Sequence, residues 1–187
     1  GERGRCVALP LVALAAAMLL AACSKRAEVS QPPLVIRDGD VCAACGMYIR
    51  GPPGPRGEAY VDGDDAALKF GSTRDLFAYV TQPDIASRLE SAYVQDTARI
   101  IWAHPSDAAA SFIDARKAYY VAWQPLPGEM GPTFASFAKP SDAATFVRSH
   151  GGAVLRFGQV TASLVSGLTY SCPGPASPFS ALATQTR

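Results

Sequence analysis

Two cysteines and a methionine lie within six residues of one another in the segment VCAACGMYIRGPPG, residues 41–54. Cys42 and Cys45 are separated by two alanines, and Gly46 and Met47 follow directly. Two thiolates at this spacing can converge on one metal ion, and the glycine allows the chain to turn after the second cysteine. The pair therefore predicts one of four sites: a disulfide, a zinc site, a redox pair or a site for a soft monovalent metal.

The surrounding residues argue against two of these sites. A structural zinc site needs two more ligands, usually a second cysteine or histidine pair, but His104 and His150 are isolated and Cys172 stands at the edge of the C-terminal tail. A thioredoxin-like redox motif begins a long helix. Here the glycines and prolines of MYIRGPPGPRG, residues 47–57, prevent a helix. A plain disulfide stays open, because cysteines three positions apart can pair.

The methionines favour a soft metal. Beyond the apolar N-terminal run the sequence contains two methionines, Met47 in CGMYIRGPPGP and Met130 in LPGEMGPTF. A methionine in a glycine- and proline-rich turn is poorly placed to fill a core. Thiolate and thioether ligands together select Cu(I) over Zn(II), Mg(II) or Ca(II). The composition of the two segments therefore favours Cu(I).

The N-terminus predicts export and a lipid anchor. Arg3 and Arg5 precede an uncharged apolar run over residues 7–22, which is too short for a typical membrane-spanning helix and fits a secretory signal. The run ends in LAAC, which resembles a bacterial lipobox. We expect residues 1–22 to be a lipoprotein signal peptide and Cys23 to be lipidated, on the periplasmic side of the cell envelope. An ordinary cleavage site or an uncleaved anchor is the alternative.

Compartment and charge narrow the function further. The envelope is oxidising, so unpaired thiols there need an explanation. Cys6 would leave with the signal peptide and Cys23 would carry lipid, which leaves Cys42, Cys45 and Cys172. An odd number of cysteines cannot all pair within one chain. The formal net charge is +1, only 18% of the residues are charged, and no basic patch stands out. This composition argues against binding to nucleic acid.

The chain is organised around a folded region between two polar segments. Residues 23–40 contain a Pro-Pro pair and predict a flexible tether, and residues 173–187 are rich in Pro, Ser and Thr and predict a disordered tail. The segments FGSTRDLFAYV (70–80) and FAKPSDAATFV (137–147) echo each other, and each follows a strand-like run. The pattern predicts an α+β fold of two related ββα-type units, residues 41–102 and 103–172, by internal duplication.

Helix-end signals accompany both segments. Ser72 or Thr73 is predicted to cap the first helix and Ser141 the second. Gly151 is predicted to end the second helix, with His150 in its last turn. His104 lies in a polar connector and is predicted to be an exposed loop residue.

Taken together, these motifs resemble the NosL family of periplasmic lipoproteins. The resemblance rests on the lipobox, CxxCGMY, SFIDARKAYYVAW and EMGPTFASFAKPSDAATFVRSHGGAVLRF, and it spans most of residues 41–157. It implies two related ββα-type units similar to part of an organomercurial lyase. It also implies a Cu(I)-binding protein that supplies copper to the nitrous oxide reductase apo-enzyme during denitrification. The membrane transporter complex associated with that enzyme is implied as a second partner.

The resemblance also implies a ligand set. The CxxCGM match points to Cys42, Cys45 and Met47, and the EMGP match points to Met130. Cys45 and Met130 are the first expectations, then Met47, then Cys42. The family often has a histidine between the cysteines, whereas this sequence has two alanines there, which leaves sulfur as the main donor.

Two alternatives from other functional classes stay open. The first is a thiol-based redox or organomercurial-cleaving enzyme that uses Cys42 and Cys45, with an acid from the turn VDGDD (Asp62, Asp64 or Asp65). The second is a structural lipoprotein with a Cys42–Cys45 disulfide. The sequence contains no evident general base, nucleophile pair or phosphate-binding loop, so we expect no enzymatic turnover.

Overall fold

The computed structural model describes residues 31–184, which belong to one compact unit. The predicted signal peptide, the lipidation site Cys23 and the first part of the predicted tether lie outside the described residues. Within residues 31–184 no helix has the length and apolar character needed to cross a membrane.

The fold mixes short helices and antiparallel strands, as the sequence predicts. The strands are β1 (Gly57–Val61), β2 (Leu68–Phe70), β3 (Leu89–Gln95), β4 (Phe112–Asp114), β5 (Tyr119–Ala122), β6 (Pro127–Gly128), β7 (Gly131–Pro132), β8 (Ala135–Phe137) and β9 (Ala153–Arg156). The α-helices are α1 (Thr73–Val80), α2 (Pro83–Ala86), α3 (Pro140–His150), α4 (Ala162–Ser166) and α5 (Ser180–Thr184). Single 3₁₀ turns occupy Thr97–Arg99, Ala109–Ser111 and Phe157–Gln159.

Two of the sheets share one connectivity. The first has the order β2-β1-β3-β4 and the second the order β8-β5-β9. In each sheet the first strand in sequence lies between the second and the third, and a helix follows the second strand. The strand β4 pairs with β3 in the first sheet, although it falls inside the predicted second unit. The short strands β6 and β7 form a separate hairpin.

A common aromatic core joins the two sheets. The Phe77 ring of α1 contacts Tyr120 of β5 at a centroid distance of 4.9 Å and Phe134 at 5.4 Å, both edge to face. All three side chains are fully buried. Helix α1 can approach β1 closely because Gly57 has no side chain: a Cβ there would lie 2.8 Å from Leu76 Cβ. The two sheets therefore share one core and do not form separate domains.

The helix-end predictions have mixed outcomes. Ser72 caps α1 and accepts a hydrogen bond from the Asp75 amide, as predicted. The predicted cap Ser141 is wrong, because Pro140 already occupies the first helical position and Lys139 is the N-cap. This placement suits proline, which has no amide hydrogen to leave unpaired at a helix start. Gly151 ends α3 at φ +77°, as predicted.

Both predicted flexible ends differ from the structure where it describes them. Residues 31–36 run along the first sheet, and Ile36 is only 2% exposed. At the other end, α5 lies inside the predicted disordered tail, and the Phe179 ring just before it packs near Trp123. Composition alone predicts disorder there, but Phe179 and Leu182 contact the core cluster and give the tail apolar surface to bury.

Candidate metal centre

The CxxC segment forms a short closed loop, which we call the thiol loop (residues 41–48). Val41 and Tyr48 pair as an isolated antiparallel bridge. Inside it, the Cys42 amide donates to the Met47 carbonyl at 2.8 Å and the Gly46 amide donates to the Cys42 carbonyl at 2.8 Å. Gly46 has φ +74°, a conformation that favours glycine. This turn gathers both thiols at one point.

Two carboxylates from distant parts of the chain meet the thiols. Cys42 Sγ donates to Asp75 Oδ2 at 3.9 Å, and Cys45 Sγ donates to Glu129 Oε2 at 3.9 Å. One ligand atom from each of these four residues lies within 4.8 Å of the others. Cys42 is 1% exposed and Cys45 is half-buried. The four side chains therefore form a compact donor cluster with a deep end and an open end.

The capped start of α1 positions Asp75. The Asp75 amide donates to Ser72 Oγ at 3.1 Å, and Ser72 Oγ donates to Asp75 Oδ2 at 2.9 Å. These two bonds fix the first turn of the helix and aim the carboxylate at the thiol loop. A carboxylate in the first turn also complements the helix dipole.

Glu129 reaches the site from the turn between β6 and β7, passing over Gly71. A Cβ built on Gly71 would lie 1.5 Å from Glu129 Oε2, so a side chain at residue 71 would exclude the carboxylate. The other oxygen, Oε1, is buried without a hydrogen-bond partner. Such a group is costly to bury, and a metal ion among the four donors would give it a partner.

Burial holds protons on the cluster. It raises the pKa of the Cys45 thiol to about 12, although the backbone amide of Met47 opposes the shift. Burial likewise raises the pKa of Glu129 to about 7, and the neighbouring Asp75 adds to that increase. The pKa of Asp75 also rises through burial, while its bond from Ser72 opposes the rise. Without a cation the cluster therefore favours its protonated forms.

The two methionines lie at the surface of the same loops. Met47, in the thiol loop, is 43% exposed, and Met130, next to Glu129, is 52% exposed. The Met130 carbonyl accepts a hydrogen bond from Arg74 Nη1 at 3.3 Å. Both thioethers are therefore carried by segments that also carry a member of the cluster.

The structure brings together some predicted candidates and leaves others apart. In the part of the chain that the structure describes, the cluster contains neither histidine nor any carboxylate of the VDGDD turn. His150 stacks on Phe146 at the end of α3, and His104 is an exposed loop residue, as predicted. Cys172 is exposed outside the cluster, and all three described cysteines are free thiols.

Sequence reasoning missed Asp75 and Glu129. Asp75 is the third residue after the cap Ser72, a position that indicates helix capping and gives no hint of a thiol neighbour. Glu129 directly precedes Met130 in the motif EMGP. That adjacency was the one available signal that the motif brings an oxygen donor as well as a thioether.

Comparisons with known proteins agree with one another. Residues 33–165 match the NosL family model. The chain is 38% identical to the copper-binding lipoprotein NosL of Stutzerimonas stutzeri over 157 residues, covering 83% of this chain and 80% of that protein. It is 33% identical to the copper-binding lipoprotein NosL of Achromobacter cycloclastes over 161 residues, covering 84% and 82%.

A solved crystal structure is also similar to this chain in both fold and sequence. The crystal structure of the copper chaperone NosL from Shewanella denitrificans aligns with a TM-score of 0.68 at 34% identity. The alignment covers 72% of this chain and 98% of that one.

Proposed function

The chain belongs to the NosL family, and we propose that it is a lipid-anchored periplasmic metallochaperone that binds Cu(I) and supplies it for maturation of nitrous oxide reductase. The observation that carries the proposal is the convergence of Cys42 and Cys45 in one cluster, flanked by segments that expose Met47 and Met130. Two thiolates with accessible thioethers suit a soft monovalent ion better than a hard divalent one.

Copper binding would use the cysteines as thiolates, because metal binding displaces thiol protons. Each thiol already points at a carboxylate, Cys42 at Asp75 and Cys45 at Glu129. These carboxylates are the nearest acceptors for the displaced protons. Once they have passed these protons on to solvent at the open end, their negative charge would favour a cation in this half-buried position. Cys42, Cys45, Met47 and Met130 remain the proposed copper ligands, with Asp75 and Glu129 beside them.

Release would proceed from the open end of the site. The thioethers are weak ligands on exposed side chains, whereas Cys42 is fully buried. Donors of an acceptor protein would therefore displace a thioether first and the buried thiolate last. This gradient of exposure suits an ion that must leave, because transfer can proceed through mixed complexes without free Cu(I).

The copper-carrier role and the anchor are proposed from the relatives, and the acceptor is proposed from the family resemblance. Two relatives are named copper-binding lipoproteins, and the similar crystal structure is that of a copper chaperone. We propose the same role here, with lipid on Cys23, with the nitrous oxide reductase apo-enzyme as acceptor, and with its membrane transporter complex as a further partner. The shared connectivity of the two sheets supports descent by internal duplication, and the kinship to organomercurial lyase is proposed on the family resemblance.

The test is a competitive Cu(I) titration of reduced residues 24–187 against a chromophoric chelator under anaerobic conditions. We expect one Cu(I) per chain, loss of binding in Cys45→Ser and weaker binding in Met130→Ala. The matched control is Cys172→Ser, which removes an exposed thiol outside the cluster and should bind as tightly as the parent. Equal Cu(I) affinity of the parent and a Met47→Ala/Met130→Ala variant would refute the proposed ligand set.

One observation favours a second candidate, an organomercurial-cleaving enzyme. Protonolysis of a carbon–mercury bond needs thiolates to hold the mercury and an acid to protonate the leaving carbon. The cluster places Asp75 and Glu129 beside both thiols. Repeated turnover of an organomercurial substrate, lost in Glu129→Gln, would support this activity. Stoichiometric binding of mercury without release of hydrocarbon would eliminate it.

A further inference from the structure

We propose that Lys69 is a positioning residue that couples the thiol loop to an N-terminal strap, residues 31–36. The inference rests on the proposed function in one respect, that the thiol loop carries the copper ligands. The contacts that support it are independent of copper. They connect the segment that enters the fold from the N-terminal side with the segment that holds Cys42 and Cys45.

The strap is held by polar side chains of the first sheet. Tyr93 Oη donates to the Gln31 carbonyl at 2.6 Å, and Tyr60 Oη donates to the Pro32 carbonyl at 2.8 Å. The Leu34 amide donates to Glu58 Oε2 at 2.8 Å. Side chains of the sheet therefore bind the backbone of three strap residues, and these bonds are not the backbone pairing of a β-strand.

These side chains share one face of the sheet. Glu58 lies directly opposite Lys69 of β2 and Tyr93 of β3 in the antiparallel register, and Tyr60 is two residues further along β1. Side chains at alternate positions of a strand project to the same face. The neighbouring residue Gly57 projects to the opposite face, against Leu76 of α1. The strap thus covers the face of the sheet that α1 leaves open, and under it Glu58 is fully buried.

Lys69 touches the strap and both sides of Cys42. Its Nζ donates to the Val35 carbonyl at 2.9 Å and to Asp40 Oδ2 at 2.5 Å. Its own carbonyl accepts the Ala43 amide at 2.8 Å. The Lys69 side chain is 11% exposed, and its bond to Asp40 is partly buried whereas its bond to Val35 lies at the surface. A docked strap therefore fixes the ammonium group that also fixes the entry to the thiol loop.

Such a link has to act in both directions. If a docked strap stabilises the thiol loop, then an ordered thiol loop must stabilise the docked strap by the same factor. Copper bound to Cys42 and Cys45 would order the loop and so tighten the strap. A pull on the chain from the N-terminal side would loosen the strap and weaken the copper site. The geometry thus makes copper affinity sensitive to how the strap is held.

Amide hydrogen exchange of the copper-free protein, read residue by residue by NMR, tests the coupling directly. Tyr60→Phe removes one strap bond without touching Lys69 or the thiol loop. We expect it to speed exchange about 3- to 10-fold at the Leu34 and Ile36 amides and also at the Ala43 and Gly46 amides. In a Lys69→Met background, Tyr60→Phe should still speed exchange in the strap and should affect the thiol loop much less, since only the chain itself and the bonds between Arg37 and Asp40 then connect the two segments. Unchanged exchange at Ala43 and Gly46 in Tyr60→Phe would overturn the proposal.

Copper titrations then give the functional consequence. We expect Lys69→Met to weaken Cu(I) affinity about 5- to 10-fold, Lys69→Arg to restore most of it, and Tyr60→Phe to weaken it less than Lys69→Met does. The control is Lys117→Met, which removes an exposed lysine that pairs with Asp114 and should change nothing. A parent protein without Cu(I) affinity would refute the proposed function, and the exchange result would still decide the coupling.

Discussion

The thiol of Cys45 lies 3.9 Å from the carboxylate of Glu129, 84 residues further along the chain. Neither side chain belongs to a long regular element. The contact depends on a tight turn at Gly46, a two-strand hairpin around Glu129 and the absence of a side chain at Gly71. The site is therefore assembled by the tertiary fold from three separate segments, and each segment can be tested by its own substitution.

Replacing Glu129 by glutamine should weaken copper binding without abolishing it. The substitution keeps the size of the side chain but removes its negative charge and its capacity to take the thiol proton. We expect Cu(I) affinity to fall by about tenfold, far less than in Cys45→Ser. Glu90→Gln, which changes an exposed carboxylate of β3, is the control. Full Cu(I) affinity in Glu129→Gln would show that the carboxylate charge does not contribute to copper binding.

Replacing Gly71 by alanine should displace Glu129. The new methyl group would lie 1.5 Å from Glu129 Oε2, so the carboxylate must move. We expect a loss of about 1–3 kcal/mol in the free energy of unfolding, measured by chemical denaturation, and a drop in Cu(I) affinity similar to that of Glu129→Gln.

A double substitution isolates the cause of that loss. If the clash with Glu129 is the reason, Gly71→Ala should cost much less in a Glu129→Ala background than in the parent. Gly158→Ala, at an unobstructed position of ordinary φ, serves as the control for adding a methyl group. Equal costs in both backgrounds would assign the effect to the backbone at residue 71.

The stability of the copper-free protein should fall as pH rises from about 4.5 to 7. Burial raises the pKa of Glu58 from 4.5 to about 7, although the bond from the Leu34 amide and the charge of Lys69 oppose the shift. The folded state therefore binds more protons than the unfolded state in this window, so raising the pH favours unfolding.

Glu58→Gln should flatten this dependence. The contribution of Glu58 is at most about 3 kcal/mol, and it is obtained as the difference between the two stability curves across the window. Glu129, whose pKa is also raised to about 7, contributes to both curves and cancels in the comparison. Parallel curves for parent and variant would contradict the assignment to Glu58.

Cys45 should react slowly with iodoacetamide at pH 8 even though it is only half-buried. The pKa of its thiol is raised to about 12 by burial, so the reactive thiolate is scarce. Cys172 is exposed and should be alkylated first in the reduced, copper-free protein. Peptide mapping by mass spectrometry measures both rates in one sample. Equal rates at the two cysteines would show that the environment of Cys45 does not protect it.

Local chemistry predicts local features well in this chain. The cap at Ser72 and the helix end at Gly151 depend on one or two side chains and a preferred backbone conformation, and both are confirmed. The prediction of Ser141 as a cap is wrong because Pro140 can itself begin a helix. Signals of this kind act within one helical turn, so the neighbouring residues in the sequence are nearly sufficient to predict where a helix begins and ends.

The site and the chain ends depend on contacts that no local signal describes. Asp75 and Glu129 look like a helix-capping residue and a turn residue, and only the packing of α1 against the hairpin brings them to the thiols. The strap and α5 look disordered by composition. They are ordered where Ile36 and Leu182 find apolar surface supplied by distant parts of the chain.

The ring of Phe77 determines whether either half of the chain could fold alone. It lies two residues after Asp75 and packs against Tyr120 and Phe134, which belong to the other half of the chain. A single half on its own would leave this aromatic surface in water and would lack either the thiols or Glu129. Neither half of the chain would therefore be stable or carry a complete site by itself, so we expect the two halves to fold and unfold together in one cooperative transition.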